Sequence, residues 1–394
     1  MVRLARRITQ SSKKDYGMFA RAAALAGSGK DLIHLELGRP YHDTPSHIKQ
    51  ATIKALEEGH VHYSDLQGIP ELREALAKKL AAGNALDYKP SELIVTNGLT
   101  QASFAAFMAL LDQGDEAILL EPYYPQHIGK IELAGAKPVY AQLDKEAGFR
   151  IRRDLIEKHI TPASRVIVLV NPVNPTGRVY SRDELQIVAD LAIEHDLVVI
   201  CDEVYEQIVF DGVSHISIAS LPGMRERTVS LFAFTKAFAM DGWRLGYLAA
   251  DASLIGALLK MTASEVTHVN TFIQHGAIAA LTGPENVLAD MVEDDRRKRD
   301  LVVKRLNQMP GVRCTMPEGT IYAFPDISET GLTSREAAED ILQRTGVVLE
   351  AGSFYGSQGE GHLRVCFGSE SLEKLDLAMD RLSAYFNGRM AAVA

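Results

Sequence analysis

The stretch RVIVLVNPVNPTGRVYSRDELQIVADLAIEHDLVVIC, residues 165–201, predicts a complete strand, loop, helix and strand. Its opening residues, RVIVLV, form a β-branched run typical of a buried strand, and NPVNPTG contains too much proline and glycine for anything but a loop. The next segment has helical spacing, and Ser181 with Glu184 makes a capping box at its start. LVVIC is then a second strand, and the helix between the two strands indicates a parallel crossover.

Similar units flank this stretch. Residues 92–125 have the order strand, turn, helix and strand, and RTVSLFAF at 227–234 is a further strand. Strands that alternate with helices predict an α/β fold with a mostly parallel sheet flanked by helices. We place this large domain at residues 45–282.

From about Gly283 the pattern changes to a long charged amphipathic helix followed by short strands. We therefore predict a smaller α+β domain, formed by residues 283–394 together with the N-terminal segment 1–44. A chain of 394 residues also favours two domains, because a single core rarely keeps growing to that size.

The composition narrows the classes of function. The formal net charge of −9 argues against nucleic-acid binding, which draws on clustered lysine and arginine, and favours small-molecule ligands. No apolar run approaches the roughly 18 residues of a membrane-spanning helix, and the N-terminus lacks the apolar core of a secretory signal. The scattered cysteines do not suggest a disulfide framework, so we expect a cytoplasmic protein. His60 and His62 have no evident third ligand, and we predict no metal site.

Ligands of an open parallel sheet bind beyond the carboxyl ends of its strands. The residues that directly follow predicted strands include Asn97–Thr100, Asn171–Gly177, Asp202 and Lys236, and we expect them to converge on one crevice. The Gly98 turn opens a helix whose free N–H groups and dipole suit a phosphate, although a glycine before a helix is common. Lys236 is flanked by apolar residues, where an unpaired ammonium is costly; a lysine that extends to solvent is the alternative.

Three motifs follow one another along the chain: NPVNPTG at 171–177, DEVYEQIVFDG at 202–212 and FTKAFAMDGWRLGY at 234–247. They resemble the class I/II aminotransferases, fold type I pyridoxal-phosphate enzymes of the aspartate aminotransferase superfamily. The resemblance extends to LELGRPYHDTP at 35–45, YSDLQGIPELREAL at 63–76 and HLRVCFG at 362–368. It covers nearly the whole chain and implies a homodimer with active sites at the subunit interface.

The resemblance implies how pyridoxal 5'-phosphate would be held. Lys236 would form the Schiff base with the cofactor aldehyde and then move a proton between the substrate α-carbon and the cofactor. Asp202 would keep the pyridine nitrogen protonated, which makes the ring an electron sink. Asn174 and Tyr205 would donate hydrogen bonds to the ring oxygen O3′, and Tyr124 would stack on the ring face.

The cofactor phosphate has its own set of implied residues. It would bind the guanidinium of Arg244 and the backbone of Gly98, Leu99 and Thr100. Tyr63 would reach the phosphate of the neighbouring subunit.

The substrate would bind through Arg364, Gly38 and Asn174. Arg364 would hold the α-carboxylate bidentately, a geometry that lysine does not reproduce. The backbone of Gly38 would help to hold the same carboxylate.

Several positions depart from the family pattern. Ala233 stands where many relatives have a serine in the phosphate site, and Thr100 stands where some dicarboxylate-specific relatives have a lysine. Arg39, Tyr41 and His42 are unusual in a segment that borders the substrate pocket. Aspartate therefore cannot be assumed as the amino donor.

The implied activity is transamination, in which an L-amino acid gives its amino group to the cofactor and a 2-oxo acid takes it up. A lyase of the same fold that eliminates a β or γ substituent would need the same lysine, aspartate and arginine. A non-catalytic ligand-sensing module is a third interpretation, but the strand and helix pattern begins too early to leave room for a DNA-binding domain.

Overall fold

The computed structural model describes residues 2–12, 17–25 and 29–393. Seven strands of this part of the chain form one large sheet, and the others form a parallel pair and an antiparallel set of three. The strands are β1 Ile33–His34, β2 Leu93–Thr96, β3 Glu116–Glu121, β4 Lys137–Gln142, β5 Ser164–Val170, β6 Val198–Asp202, β7 Thr228–Ala233, β8 Gly246–Ala249, β9 Tyr322–Ala323, β10 Val347–Val348, β11 Glu350–Ala351 and β12 Leu363–Cys366.

The large sheet has the order β2-β8-β7-β6-β5-β3-β4. The strands from β4 to β7 in this order are parallel, which confirms the prediction of a mostly parallel sheet. β8, which the sequence analysis does not predict, pairs antiparallel with both β7 and β2. The connection from β7 to β8, residues 234–245, forms turns and no helix, so it reverses the chain instead of crossing the sheet.

Helices alternate with the strands of the large sheet. The predicted capping box is present, because Ser181 Oγ accepts from the N–H of Glu184 at 3.3 Å and Glu184 Oε2 accepts from the N–H of Ser181 at 3.1 Å. No helix in the described stretches is both long and apolar enough to cross a membrane. The helices are α1 Arg6–Gln10, α2 Gly17–Leu25, α3 Ser46–Glu57, α4 Pro70–Asn84, α5 Leu99–Leu110, α6 Gln126–Leu133, α7 Arg153–Glu157, α8 Arg182–Glu194, α9 Ala252–Val266, α10 Thr271–Thr282, α11 Glu285–Leu306, α12 Ser334–Thr345 and α13 Leu372–Val393.

Both faces of the large sheet are buried. On β5, Ile167 and Leu169 belong to one apolar cluster, which includes residues of α8. Val166 and Val168 belong to another, which includes residues of α5. This division follows from the two-residue period of a strand, and it explains why the β5 sequence is apolar throughout.

Another core joins the two ends of the chain and also includes Tyr205, Ile208 and Phe210, which follow β6. Met18 and Ala22 of α2, with Leu35 after β1, pack against residues of β9, β10, β12 and the helices α11 to α13. Within the predicted segment 1–44, residues 1, 13–16 and 26–28 lie outside the described residues. The division of the chain at 45 and 282 stays a prediction.

Candidate active site

The carboxyl edge of the large sheet gathers the residues predicted to follow strands. Asp202 ends β6, Asn174 lies in the loop after β5, and Lys236 lies in the turn after β7. Gly98 follows β2 and is the N-cap of α5. Since β2 and β7 both pair antiparallel with β8, β2 ends at the same edge as the parallel strands. This edge is where ligands of open α/β sheets bind.

Gly98 and Arg244 lie against each other. Gly98 has a φ of +77°, and a Cβ added to it would fall 2.6 Å from Nη2 of Arg244. Arg244 is exposed, has a φ of 55°, and donates from Nη1 to the carbonyl of Asp241 at 2.9 Å. The first N–H groups of α5, those of Leu99 and Thr100, have no acceptor among the described residues. Free helix N–H groups beside a guanidinium suit an anion.

Asp202 is buried beside a histidine that the sequence analysis misses. Asp202 Oδ2 lies 3.4 Å from Nε2 of His127, and Asp202 Oδ1 accepts from the N–H of Val204 at 3.2 Å. His127 is fully buried, and burial lowers its pKa. Its ring packs edge-on against that of Tyr124, with centroids 5.3 Å apart. Tyr124 precedes α6 and His127 lies in its first turn, so no helical spacing in the sequence signals the position of His127.

Lys236 is partly buried, and its amine donates a hydrogen bond to the carbonyl of Gly38. Burial lowers the pKa of Lys236 to about 8; Asp241 opposes this effect, whereas Arg364 and Arg244 add to it. An amine with this pKa is partly neutral near physiological pH, which a nucleophile or a general base requires. The geometry therefore favours a reactive amine over a surface charge.

Arg364 is a buried cation with neutral partners. Its Nη1 donates to Oδ1 of Asn174 at 3.1 Å, and its Nη2 donates to the carbonyl of Glu36. The guanidinium lies 4.3 Å from the ring centroid of Tyr322 and 5.1 Å from that of Tyr355. Its Nε is buried without a partner, and no carboxylate oxygen of the described residues lies within 4.0 Å of it. A buried guanidinium without a carboxylate partner favours the binding of an anion.

Tyr322 is a second site residue that the sequence analysis misses. Its hydroxyl lies 2.7 Å from that of Tyr205. A Cβ added to Gly38 would fall 1.9 Å from the same hydroxyl, so this close approach requires glycine at position 38. Burial raises the pKa of Tyr322 to about 12, so its hydroxyl stays protonated at neutral pH. Tyr205 and Tyr322 are separated by 117 positions in the chain, and no local pattern predicts their contact.

Tyr63 does not reach these residues within one chain. Its side chain is 90% exposed, and its ring packs edge-on against His268 at 5.3 Å. The other predicted residues of the cofactor and substrate sites lie at the sheet edge or in the strands and loops beside it.

The unusual residues of the segment near the substrate pocket differ in their surroundings. Arg39 is exposed. The ammonium of Lys298 lies 4.5 Å from the ring centroid of Tyr41, and Nε2 of His42 lies 3.1 Å from Oδ2 of Asp294. α11 therefore holds Tyr41 and His42, while Arg39 faces solvent.

Comparison with known proteins identifies the family. The family model for aminotransferase class I and II matches residues 30–382. The chain is 41% identical over 361 residues to an aspartate aminotransferase of Pyrococcus abyssi, a match that covers 91% of this chain and 92% of that protein. It is 40% identical to the aromatic-amino-acid aminotransferase 2 of Thermococcus litoralis, again with 91% and 92% covered.

A solved structure extends the agreement to the fold. The aspartate aminotransferase of Rhizobium meliloti matches with a TM-score of 0.94 at 32% identity, covering 98% of this chain and 99% of that one. The chain therefore belongs to the class I and II aminotransferases and is a pyridoxal-phosphate-dependent aminotransferase.

Proposed function

We propose that Lys236 and Arg364 are the residues through which this aminotransferase handles its amino acid and 2-oxo acid substrates. The assignment depends on one observation: both side chains contact the same short segment. Lys236 donates to the carbonyl of Gly38, and Arg364 donates to the carbonyl of Glu36. A reactive amine and an unpaired guanidinium thus flank one short segment. The amine and carboxylate of an α-amino acid are one carbon apart, so they require two such groups close together.

The phosphate of the cofactor is assigned to the start of α5. Gly98 leaves room for Arg244, and the N–H groups of Leu99 and Thr100 are available to donate hydrogen bonds to an anion. These donors fit a phosphate dianion, because both the helix dipole and the guanidinium favour negative charge.

The ring of the cofactor is assigned to residues at the ends of β5 and β6. Asp202, buried beside His127, suits a protonated pyridine nitrogen, because a buried carboxylate stabilises a facing cation. Asn174 and Tyr205 are assigned to the ring oxygen O3′, and Tyr124 to the ring face. His127 is a positioning residue for Asp202.

Bound pyridoxal phosphate supplies an aldehyde carbon that takes up amines and a ring that withdraws electrons from the substrate α-carbon. Lys236 is assigned as the residue that bonds the cofactor and carries the proton at that α-carbon. Its lowered pKa supports this role, since a base works best when its pKa lies near the operating pH.

Arg364 is assigned to the substrate α-carboxylate, with Asn174 and Gly38 beside it. The relatives are named for aspartate and for aromatic amino acids. We propose that the donor is of one of these two kinds and that the segment with Arg39, Tyr41 and His42 contributes to the choice.

We further propose a homodimer in which Tyr63 of each protomer completes the phosphate site of the other. Tyr63 is highly exposed, and four large apolar residues close to it in the sequence are 43% to 56% exposed: Ile53, Leu56, Val61 and Leu66. Exposed apolar residues of this kind are typical of an interface when they form a patch. Sedimentation analysis should give twice the chain mass, and a monomer with full activity would rule the assignment out.

A cytoplasmic location and the predicted domain division are proposals as well. Cys201, Cys314 and Cys366 are buried and unpaired, which suits a reducing compartment. The core that joins α2 and Leu35 to the C-terminal helices supports a small domain of residues 1–44 and 283–394. Limited proteolysis should cut first near residues 45 and 282.

Single half-reactions test the proposed function most directly. The holoenzyme is mixed with aspartate, phenylalanine or a neutral amino acid, and the absorbance of the bound cofactor and the 2-oxo acid product are followed. Transamination gives one equivalent of 2-oxo acid per site without an acceptor. Release of ammonia with repeated turnover in the absence of an acceptor would instead identify a lyase.

A further inference from the structure

Glu350 is a buried carboxylate directly opposite Arg364. β11 and β12 pair antiparallel with Glu350 in register with Arg364, so the two side chains leave the same face of the strand pair. Residues so placed have Cβ atoms about 4.5–5.5 Å apart, within reach of an ion pair. The ion pair is not formed, because no oxygen of Glu350 lies within 4.0 Å of a guanidinium nitrogen of Arg364.

The start of α2 holds the carboxylate of Glu350. The N–H of Met18 donates to its Oε2 at 3.1 Å and lies 3.3 Å from its Oε1, and the N–H of Ala351 donates to Oε1 at 3.1 Å. Gly17, with a φ of +56°, leaves space for it, since a Cβ there would fall 2.2 Å from Oε2. A helix N-terminus stabilises a carboxylate through its free N–H groups and its dipole. α2 therefore stabilises the position of Glu350 that leaves Arg364 unpaired.

Both charged groups would gain from pairing if α2 were absent. Burial raises the pKa of Glu350 to about 7, and Arg364 opposes this effect, so the carboxylate is mostly ionised only above about pH 7. An ionised buried carboxylate that loses its N–H donors pays a large desolvation cost unless it reaches a cation or takes up a proton. The nearest partners of Arg364 are the carbonyl of Glu36, the amide of Asn174 and two tyrosine rings, none of them an anion. The carboxylate of Glu36 is hydrogen bonded at Oε1 to Nδ1 of His34 at 2.9 Å.

We propose that Glu350 is a positioning residue and that the docking of α2 on it keeps Arg364 free for the substrate carboxylate. With α2 displaced, Glu350 pairs with Arg364 and competes with the substrate. The inference rests on the proposed role of Arg364, and it makes α2 the element that sets the substrate affinity of the site.

Two valine variants of α2 test this in the holoenzyme. Gly17→Val places a side chain where the Glu350 oxygens lie, whereas Ala20→Val is a matched change at an exposed position of the same helix. The probe is 3-phenylpropanoate, an unreactive monocarboxylate, titrated by calorimetry. We expect its Kd to rise about fivefold or more in Gly17→Val and by less than about twofold in Ala20→Val.

The double variant Gly17→Val with Glu350→Gln separates competition from general damage. Glutamine forms no ion pair with Arg364, so the double variant should bind the probe within about twofold of Glu350→Gln alone. An unaltered Kd in Gly17→Val, or a Kd that stays weak in the double variant, overturns the proposal. Circular dichroism and cofactor absorbance verify that each variant is folded and loaded.

A wrong assignment of Arg364 gives a different pattern of probe binding from a wrong assignment of α2. If Arg364 does not bind the substrate carboxylate, the probe binds wild type and Arg364→Lys equally. If Arg364 does bind the substrate carboxylate and α2 has no influence, Arg364→Lys weakens binding of the probe and Gly17→Val does not.

Discussion

The two arginines assigned to the site have contrasting environments. Arg244 lies in the turn after β7, is exposed, and bonds a carbonyl of its own turn. Arg364 lies in β12, is buried against two tyrosine rings, and bonds groups from two distant segments. In the proposed assignment, several backbone N–H groups and one exposed side chain would share the cofactor phosphate, whereas the substrate carboxylate would depend on one buried side chain. We therefore expect arginine to be replaceable at the phosphate end and essential at the carboxylate end.

Lys236→Ala removes the group that lies near both arginines and should have the largest effect. We expect transamination to fall by roughly 10⁴-fold or more, because neither arginine can accept a proton in place of the amine. Steady-state assays measure the rate, and cofactor absorbance measures the loss of the bond to the lysine. Turnover within an order of magnitude of wild type would remove Lys236 from its assigned role.

Exchanging each arginine for lysine tests the contrast directly. Arg364→Lys should weaken substrate binding by about 1.5–3 kcal/mol, roughly 10- to 150-fold, because lysine cannot bind a carboxylate bidentately and leaves Asn174 without its donor. Arg244→Lys should weaken cofactor binding by less than about tenfold, because the α5 N–H groups remain. Equilibrium titrations measure substrate affinity in Arg364→Lys and cofactor affinity in Arg244→Lys. Equal losses of affinity would contradict the contrast between the two arginines.

Gly98→Ala tests whether the backbone turn before α5 contributes to cofactor binding. An alanine side chain there meets Arg244 and must adopt a φ of +77° with a ψ of 170°, a region essentially confined to glycine, which costs about 1–3 kcal/mol of unfolding free energy. Gly59→Ala is the control, since its φ is +83° and nothing lies within 4 Å of the added Cβ. Denaturant unfolding should show a loss in both variants, and only Gly98→Ala should also weaken cofactor binding. Loss of cofactor affinity in both would show that strain alone is responsible.

The pH dependence of cofactor uptake shows how each arginine acts on Lys236. The pKa of Lys236 is lowered to about 8, so its neutral fraction rises with pH. The rate of pyridoxal phosphate uptake by the apoprotein should therefore rise about tenfold between pH 7 and 9. Removing a nearby positive charge raises the pKa, and Arg364→Gln should shift the profile to higher pH more than Arg244→Gln does. Stopped-flow absorbance gives the profiles, and a rate independent of pH would refute the lowered pKa.

Much of the fold follows from local patterns. The alternation of strands and helices predicts the parallel sheet, and the capping box predicts the start of α8. β8 escapes prediction because the direction of a short strand depends on its neighbours, and the preceding turn has no local signature for antiparallel return.

The residues of the candidate site also fall into two groups, those predicted from the sequence and those found only in the structure. Lys236, Asp202 and Asn174 are predicted because each follows a strand, and parallel strands bring such positions to one edge. His127, Tyr322 and Glu350 are found only in the structure, because they reach the site through contacts between segments far apart in the chain.

By itself, the sequence determined the α/β fold, the family and the residues at the strand ends, since these follow from local periodicity and from motifs. Only the tertiary structure decided that Arg364 is buried and unpaired, that Arg244 is exposed, and that α2 holds Glu350 opposite Arg364. Burial and pairing depend on which distant side chains pack together, and packing is a property of the folded chain as a whole.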